Sequence, residues 1–476
     1  MKKPPSLTQM IVPVGASMRE SLRIIDRNAC GIAFVVDQGG RLKGVVTDGD
    51  VRRAILQGML LEARVSDFMT PDPVTVQVGT PVEKIIALMS ERIRYIPVID
   101  QDGRVVDHAS FTHHVHLPVA GPTFSGNELR YVTECVLKNW ISSQGRFVSE
   151  FEAAFAKFCG VKHAIAVSNG TVALHLSLLL ANVKPGDEVV VPTLTFIATA
   201  NAVTYVGATP VFVDSEPETW NINESQIERA ITPRTKAIIP VHLYGHPAHM
   251  DPIMDIARRH GLRVIEDAAE AHGARYKEMR VGGIGDIGCF SFYGNKIVTT
   301  GEGGMLTTND DGIAERARVL RDHGMSKAKR YWHDVIGYNY RLTNLQAAVG
   351  VAQMEQIEAL LNRRREIHNA YTDHLVGDPR VQLPPQAKWA ERVNWLYTIL
   401  LKHEVDRDRV IAKLKQAGID SRPVFYPIHT MPPHAQEGHF PVAEDISRRG
   451  LSLPTFASMG LGEIDRVCLA LKSSLQ

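Results

Sequence analysis

Along most of the chain, short runs of apolar, mostly β-branched residues alternate with segments whose apolar residues have the spacing of a helix. The runs occupy residues 164–167, 188–192, 209–213, 237–242, 262–267 and 289–292. Strands that are apolar throughout are buried on both faces, which is typical of a mostly parallel sheet covered by helices. The pattern predicts an α/β domain with such a sheet at about residues 123–375.

The C-terminal part of the chain adds a helix and a second domain. Apolar spacing predicts one long helix from Thr343 through roughly His374. After about Pro384, the strand-like run NWLYTILL and the helix-like run DRVIAKLKQAG follow. These runs predict a smaller α/β domain at about residues 384–476.

The N-terminal part of the chain contains an internal repeat. The run VPVGASMRESLRII, from Val12, is echoed from Val76 by VQVGTPVEKIIALM. Each copy continues into an apolar strand that ends in aspartate, a glycine-bearing turn and a second strand. Because neither copy can bury its apolar face alone, two halves that stack on each other are expected.

This repeat resembles a tandem pair of CBS domains, at residues 1–116, followed by a Pro/Gly-bearing linker at 117–122. The best-matching motif is GVVTDGD at residues 44–50, and the second copy lacks its Thr-x-x-Asp spacing. The resemblance implies one adenine nucleotide site, with Thr47 at a phosphate and Asp50 at the ribose. A structural or dimerising role for the module is the alternative.

Composition and charge exclude several classes of function. A hydrophobic content of 44% and a charged content of 22% are typical of a soluble globular protein. Because 53 basic residues face 52 acidic ones, nothing favours nucleic-acid or anionic-membrane binding. No apolar run reaches the roughly 20 residues of a membrane span. The start lacks a signal peptide's apolar core, and the scattered cysteines predict a reduced, cytoplasmic protein without a metal centre.

Candidate chemistry follows the predicted strands, where the ligands of an open parallel sheet bind. The turn VSNGT, residues 167–171, leads into a helix whose N-terminus favours a phosphate. Asp267 ends a buried strand. A carboxylate there needs a cationic partner, such as a protonated pyridine nitrogen or an arginine, unless it caps the next helix. Lys296 follows another strand beside a glycine-rich loop, and partial burial would favour its neutral amine.

With the blocks EDAAEAHGA and SFYGNK…TGEGG, these segments resemble the DegT/DnrJ/EryC1/StrS family of sugar aminotransferases over about residues 122–476. The resemblance implies a type I aminotransferase fold dependent on pyridoxal 5'-phosphate (PLP). It implies that Lys296 binds PLP covalently and acts as general acid/base, and that Asp267 pairs with the pyridinium nitrogen. Phe196 would stack on the ring, unless it is a plain core aromatic, and Glu270 would lie near the ring hydroxyl.

The resemblance also implies how the cofactor phosphate is held. Gly170, Thr171 and Ser291 would bind it within one subunit. Asn339, from the polar-aromatic loop before the predicted long helix, would reach the phosphate of the neighbouring subunit's cofactor. A homodimer or a higher homo-oligomer is therefore expected.

The loops outside the cofactor core normally set substrate specificity. The resemblance of these loops to those of the family implies glutamate as amino donor. It implies C4 of GDP-4-keto-6-deoxymannose as acceptor, for surface polysaccharide biosynthesis. Arg330, Tyr331 and Trp332 are candidate nucleotide contacts, or else interface residues, and His429 is a further substrate candidate. The alternatives are a UDP- or dTDP-linked keto-sugar and, from another class, a catalytically idle nucleotide-sensing scaffold.

Overall fold

The computed structural model of the protein describes residues 7–90, 93–110, 116–326 and 328–476. The chain divides into two compact units, residues 1–118 with 416–419 and residues 119–415 with 420–476. Within the described ranges, no helix combines the length and the apolar character that crossing a bilayer requires.

The N-terminal unit is built from two copies of one motif. The first copy contains β1 (Ile11–Pro13), α1 (Met18–Asn28), β2 (Ile32–Val36), β3 (Leu42–Thr47) and α2 (Asp48–Leu56). The second copy contains β4 (Val76–Gln77), α3 (Val82–Leu88), β5 (Tyr95–Ile99) and β6 (Val105–Ser110). In each copy the first strand is parallel to the second, and the second is antiparallel to the third. The internal repeat of the sequence is thus a repeat of structure.

The larger unit contains the remaining helices and strands. Its helices are α4 (Glu128–Leu137), α5 (Arg146–Cys159), α6 (Gly170–Leu180), α7 (Ala198–Tyr205), α8 (Glu224–Ala230), α9 (Met250–His260), α10 (Asp311–Leu320), α11 (Asn344–Met354), α12 (Ile357–Leu375), α13 (Arg407–Gln416), α14 (Pro441–Arg449) and α15 (Leu461–Ser474). Its strands are β7 (His163–Val167), β8 (Glu188–Pro192), β9 (Thr209–Val213), β10 (Thr235–Ile238), β11 (Arg263–Asp267), β12 (Arg275–Tyr276), β13 (Met279–Arg280), β14 (Ile287–Ser291), β15 (Gly304–Thr308), β16 (Val381–Gln382), β17 (Ala390–Glu391), β18 (Tyr397–Leu401), β19 (Arg422–Pro423) and β20 (Gly450–Leu453).

A 7-stranded sheet with the order β7-β15-β14-β11-β10-β8-β9 forms the centre of this unit. Only β15 runs antiparallel to its neighbours, so the prediction of a mostly parallel sheet is confirmed. A 4-stranded sheet, β16-β18-β20-β19, and a 3-stranded sheet, β13-β12-β17, are antiparallel throughout. The core around the central sheet is rich in buried phenylalanines, among them Phe151, Phe155, Phe290 and Phe292.

The structure differs from the predicted helix over Thr343–His374. The segment is two helices, because α11 ends at Met354 and α12 begins at Ile357. Between them Gln356 has φ −114° and ψ 4°, and its side-chain amide donates to the carboxylate of Glu128 at 3.2 Å. No glycine or proline marks the break, and the apolar spacing continues across it, so the pattern alone predicts one helix.

Strand β15 was absent from the predicted strands. Its sequence, GMLTT, has only two apolar side chains and follows the glycine-rich loop directly. It is buried all along, between β7 and β14. A central strand can thus be too poor in apolar residues for periodicity to reveal it.

Candidate active site

The carboxyl ends of β11 and β14 converge with the N-terminus of α6. Asp267 is the last residue of β11, and Ser291 is the last residue of β14. Lys296 lies in the turn after β14, where its N–H donates to the carbonyl of Tyr293 at 2.9 Å. The structure therefore brings these three predicted site residues to one edge of the sheet.

Lys296 has a largely buried side chain in this edge, with 11% of its surface exposed. Its Nζ lies 3.8 Å from the ring centroid of Trp395 and 4.0 Å from Oε1 of Glu270. Burial lowers the pKa of Lys296, and the charges of Glu270 and Asp267 oppose that shift. A lowered pKa makes the neutral, nucleophilic amine more available near pH 7.

Asp267 is buried and incompletely neutralised. Its Oδ2 accepts the hydroxyl of Thr199 at 2.7 Å, and its Oδ1 accepts the N–H of Ala269 at 3.2 Å. Among the described residues, no lysine, arginine or histidine lies within salt-bridge distance of it, which rules out the arginine pairing considered above. Burial raises the pKa of Asp267, opposed by these hydrogen bonds and by Lys296. The carboxylate therefore still lacks a cationic partner.

Glu270 is the second buried carboxyl group beside Lys296. Its Oε2 accepts the N–H of Tyr244 at 2.8 Å, while Oε1 faces the lysine. Burial raises the pKa of Glu270, and the charge of Lys296 opposes that shift. Tyr244 has φ 49°, an unusual backbone conformation for a non-glycine residue, and this aims its N–H at Glu270. Lys296 and Glu270 thus form a buried ion pair in which the carboxylate favours the protonated form of the amine.

Aromatic rings form one wall of the site. The rings of Trp395 and Tyr244 stack with centroids 6.0 Å apart, and those of Tyr244 and Phe425 stack at 5.3 Å. Phe196 follows at 5.9 Å from Phe425, tilted by 54°. Because 57% of Phe196 is exposed, it is not a plain core aromatic, and its ring is free to cover a bound ring.

The predicted phosphate site lies where α6 begins. Asn169 caps this helix, because its side-chain carbonyl accepts the N–H of Val172 at 2.9 Å. A Cβ atom on Gly170 would lie 2.8 Å from the Cβ of Ser291, so only glycine allows this close approach. The arrangement places the first N–H groups of a helix beside a serine hydroxyl, which suits an anion.

Three residues not singled out in the sequence also contribute to the site: Thr199, Tyr244 and Trp395. Thr199 lies on α7, three positions after Phe196, and had no distinguishing pattern. Trp395 belongs to the run NWLYTILL, which was predicted to be strand throughout, whereas β18 begins only at Tyr397. Its indole N–H donates instead to the carbonyl of Asn295 at 2.8 Å, which fixes the ring over Lys296.

Asn339 and the residues Arg330, Tyr331 and Trp332 lie on the surface of the single chain, and all four are exposed. The Arg330 guanidinium lies 5.0 Å from the ring centroid of Tyr331, and the Trp332 indole donates to Asp334 at 2.9 Å. The structure shows no contact between these residues and Lys296 in the described part of the chain. Their roles toward substrate and partner remain predictions.

His429 is buried rather than open to a substrate. Its Nδ1 lies 2.7 Å from the hydroxyl of Thr193, and its Nε2 lies 3.3 Å from Glu444. Its ring packs on Phe440 with centroids 4.2 Å apart. Since both ring nitrogens already have protein partners, a substrate contact would require one of these bonds to be replaced.

A separate cleft of 730 Å³ lies within the N-terminal unit, lined by Thr47 of the first copy and by Tyr95 of the second. Thr47 and Asp50 form a capping box for α2, in which each side chain accepts the backbone N–H of the other residue. Asp50 also accepts the hydroxyl of Thr70 at 3.3 Å and does not line the cleft. The predicted ribose contact would therefore require the Asp50 carboxylate to leave these partners.

The residues around Lys296 fit PLP. The unpaired Asp267 carboxylate is suited to a protonated ring nitrogen, and the exposed Phe196 is suited to the ring face. The cradle formed by Gly170 and Ser291 at a helix N-terminus is suited to the phosphate. The largely buried amine of Lys296 is suited to a covalent link.

The fold and this site define an aminotransferase, and comparison with protein families agrees. The DegT/DnrJ/EryC1/StrS aminotransferase family matches residues 122–472, and the CBS domain matches residues 1–57 and 65–107. The chain belongs to the DegT/DnrJ/EryC1/StrS aminotransferase family and depends on PLP. CBS domains precede its enzymatic part.

Particular relatives sharpen this assignment. GDP-perosamine synthase of Caulobacter vibrioides is 52% identical over 365 residues, which cover 75% of this chain and 98% of that protein. GDP-perosamine synthase of Escherichia coli O157:H7 is 47% identical over 354 residues, covering 74% of this chain and 97% of that protein. The structure of S. venezuelae DesV matches with a TM-score of 0.69 at 38% identity, over 73% of this chain and 94% of that one.

Proposed function

We propose that this chain transfers the amino group of glutamate to C4 of GDP-4-keto-6-deoxymannose and so produces GDP-perosamine. The observation that carries the chemistry is the buried amine of Lys296 beside an Asp267 carboxylate without a cationic partner. The choice of sugar rests on three GDP-perosamine synthases that are 52%, 47% and 40% identical to the chain. The product would serve cytoplasmic synthesis of a surface polysaccharide such as the O-antigen of lipopolysaccharide.

Bound PLP supplies an electron sink for the bonding electrons of the substrate carbon. Asp267 would keep the proton on the ring nitrogen, and Phe196 would hold the ring from one face. Lys296 can take up and return a proton at the substrate carbon because burial favours its neutral form. Glu270, whose carboxyl oxygen lies 4.0 Å from that amine, can stabilise the protonated lysine between the two transfers.

The sugar assignment is tested by assaying the purified enzyme with PLP, glutamate and each of the GDP-, UDP- and dTDP-linked 4-keto-6-deoxy sugars. Mass spectrometry of the products should show amination of the GDP sugar with the highest kcat/KM. Faster turnover of a UDP or dTDP sugar would transfer the assignment to that nucleotide. A protein that gains no borohydride-sensitive absorbance with PLP would be an idle scaffold instead.

The homodimer is also part of the proposal. Asn339 is exposed on the single chain, and the resemblance implies that it reaches the cofactor phosphate of a partner subunit. Co-expression of Lys296→Ala with Asn339→Ala chains tests this, because a mixed dimer would contain one site with both native residues. Activity of the mixture above that of either variant supports the shared site, and activity no higher than the Asn339→Ala protein contradicts it.

For the N-terminal cleft, the proposed ligand is an adenine nucleotide. The cleft of 730 Å³ exposes the helix N-terminus at Thr47, which suits a phosphate. Calorimetry with AMP, ADP and ATP on the wild type and on Asp50→Ala tests both the ligand and the predicted ribose contact. Absence of heat with all three nucleotides would leave the module a structural role.

A further inference from the structure

A polar pocket of 280 Å³ lies beneath the hairpin β12–β13 and beside β17 in the larger unit. Four arginines line it, namely Arg275, Arg280, Arg365 and Arg392, against the two acids Glu358 and Glu391. None of the residues assigned above to the cofactor lines this pocket. It is therefore a basic cavity separate from the one around Lys296.

Three of these arginines have acidic partners. Arg280 pairs with Glu358 at 2.8 Å. Glu391 lies 3.2 Å from Arg365 and 3.8 Å from Arg275. Both carboxylates of the pocket thus already pair with these three arginines, and neither lies within salt-bridge distance of the fourth, Arg392.

Arg392 has no acidic partner among the described residues, and it is the most buried of the four arginines. Only 9% of its surface is exposed, and its one protein acceptor in the described residues is the carbonyl of Pro385 at 2.8 Å. Its Nε is buried without a partner. A guanidinium charge buried without a counter-ion costs several kcal/mol by order of magnitude. An anion in the pocket would supply the missing partner.

Two histidines near Arg392 supply no negative charge to it. His246 is buried and His368 is half-buried, and desolvation together with the charge of Arg392 lowers the pKa of His246 to about 4 and that of His368 to about 3. Both are neutral at pH 7. By contrast, Arg364, also buried without a carboxylate, gives one terminal nitrogen to three carbonyl oxygens, at 2.7–3.3 Å. Arg364 thus has three carbonyl acceptors against one for Arg392, and the Nε of each is buried without a partner.

Asn394 also lines this pocket, and only 4% of its surface is exposed. Its side-chain amide carries two N–H donors that can bind an anion. The Nε of Arg280 is buried without a partner, as is that of Arg392.

We propose that this pocket is a binding site for a small oxyanion, a phosphate or carboxylate group, held by the guanidinium fork of Arg392 and the amide of Asn394. The planar guanidinium binds such groups through two parallel hydrogen bonds. A volume of 280 Å³ falls just below that of typical ligand pockets, so the occupant is a small ion or metabolite and not a nucleotide sugar.

The test uses the PLP-loaded enzyme, so that the cofactor's own phosphate site is filled. Thermal melting and calorimetry compare inorganic phosphate and succinate with sodium chloride of equal ionic strength. Binding of phosphate would identify the natural ligand as a free inorganic ion, and binding of succinate would identify it as a carboxylate metabolite. We expect one of them to bind one site per chain and to raise the melting temperature by about 2 °C at tenfold excess over its Kd.

Two variants of the pocket and one control variant tie this shift in melting temperature to the pocket. Arg392→Gln should lose it, whereas Arg258→Gln, which changes an exposed arginine of α9 paired with Asp255, should keep it. Asn394→Asp places a carboxylate in the pocket, so it should melt above the wild type without added anion and respond less to it. Absence of anion-specific binding to the wild type, or equal binding to Arg392→Gln, overturns the proposal. If Arg392→Gln does not fold, an undiminished anion response of Asn394→Asp overturns it instead.

Discussion

Adjacent residues of β11 send two buried carboxylates to opposite faces of the central sheet, and their surroundings differ. On one face, Glu266 accepts three backbone N–H groups of segment 282–285, each at 2.7 Å, and lies 3.0 Å from Nε2 of His242. On the other, Asp267 accepts one hydroxyl and one N–H, at 2.7 and 3.2 Å. Both residues are buried, with 0% of Glu266 and 6% of Asp267 exposed. The contrast teaches that incomplete pairing, and not burial, distinguishes the carboxylate proposed to bind the cofactor from the structural one.

The largest effect is expected on the Asp267 side, at Lys296. Lys296→Ala should lower kcat on the order of 10⁴-fold or more, because in the proposed mechanism one amine both holds the cofactor and moves the proton. Single-turnover assays measure the loss, and circular dichroism checks the fold. Lys277→Ala is the control, since this exposed lysine contacts Asp251 and the ring of Tyr276 and none of the proposed site residues among those the structure describes. Substantial transamination by Lys296→Ala would refute the site.

Asp267→Asn should give the next largest loss. It keeps the size of the side chain and its acceptor for Thr199 but removes the charge that would hold a protonated ring nitrogen. We expect kcat to fall by about 10²–10³-fold. Steady-state kinetics at saturating PLP measure this, and wild-type activity in the variant would remove Asp267 from the mechanism.

Glu266→Gln should separate stability from catalysis. The glutamine presents an N–H where the carboxylate accepts one, so the free energy of unfolding should fall by about 2–4 kcal/mol. Denaturant unfolding measures this fall, and kcat per folded molecule should stay near that of the wild type. A loss of kcat comparable to that of Asp267→Asn would show that the two faces of β11 are not functionally distinct.

Thr199→Val should have the smallest effect. It removes the hydroxyl that donates to Asp267 at 2.7 Å, and the lost hydrogen bond corresponds to a fall in kcat of about tenfold or less. Thr204→Val is the matched control on the same helix, since the Thr204 hydroxyl donates to the carbonyl of Ala200 and not to Asp267. Equal kinetics for the two variants would show that Thr199 does not support Asp267.

The sequence predicted the site better where a residue's chemistry is unusual for its position. Lys296 and Asp267 stand out because a charged residue at the end of an apolar strand requires a reason. Thr199, Tyr244 and Trp395 have no such signal, because their roles depend on contacts made by distant segments. Trp395, for example, reaches Lys296 because its indole bonds to Asn295, 100 residues earlier in the chain.

The fold shows the same difference between features that are local in sequence and features that depend on distant segments. The parallel strands and the N-terminal repeat could be predicted, since each depends on apolar residues that are local in sequence. The break between α11 and α12 could not, because it depends on the side chain of Gln356, which donates to Glu128 and accepts the hydroxyl of Ser125 at the start of the large unit. Strand β15 could not be predicted either, because its burial results from its position between β7 and β14 and its own sequence contains few apolar residues.

The contrast between the two carboxylates also has a pH dependence. Burial raises the pKa of Asp267 in the folded protein above its ordinary value, so the folded chain without cofactor holds the proton more tightly than the unfolded chain. Stability contributed by this group is present below the unfolded pKa of about 3.8 and is lost as pH rises through the folded pKa. Without PLP, Asp267→Asn should therefore be more stable than the wild type at pH 7 and not at pH 3.

The most direct test of the account is the gain in melting temperature on adding PLP at pH 7, for the wild type, Glu266→Gln and Asp267→Asn. If Asp267 is the carboxylate that awaits the ring nitrogen, the wild type and Glu266→Gln gain equally and Asp267→Asn gains clearly less. An equal gain for all three proteins would contradict the claim that the unpaired charge of Asp267 marks the cofactor site.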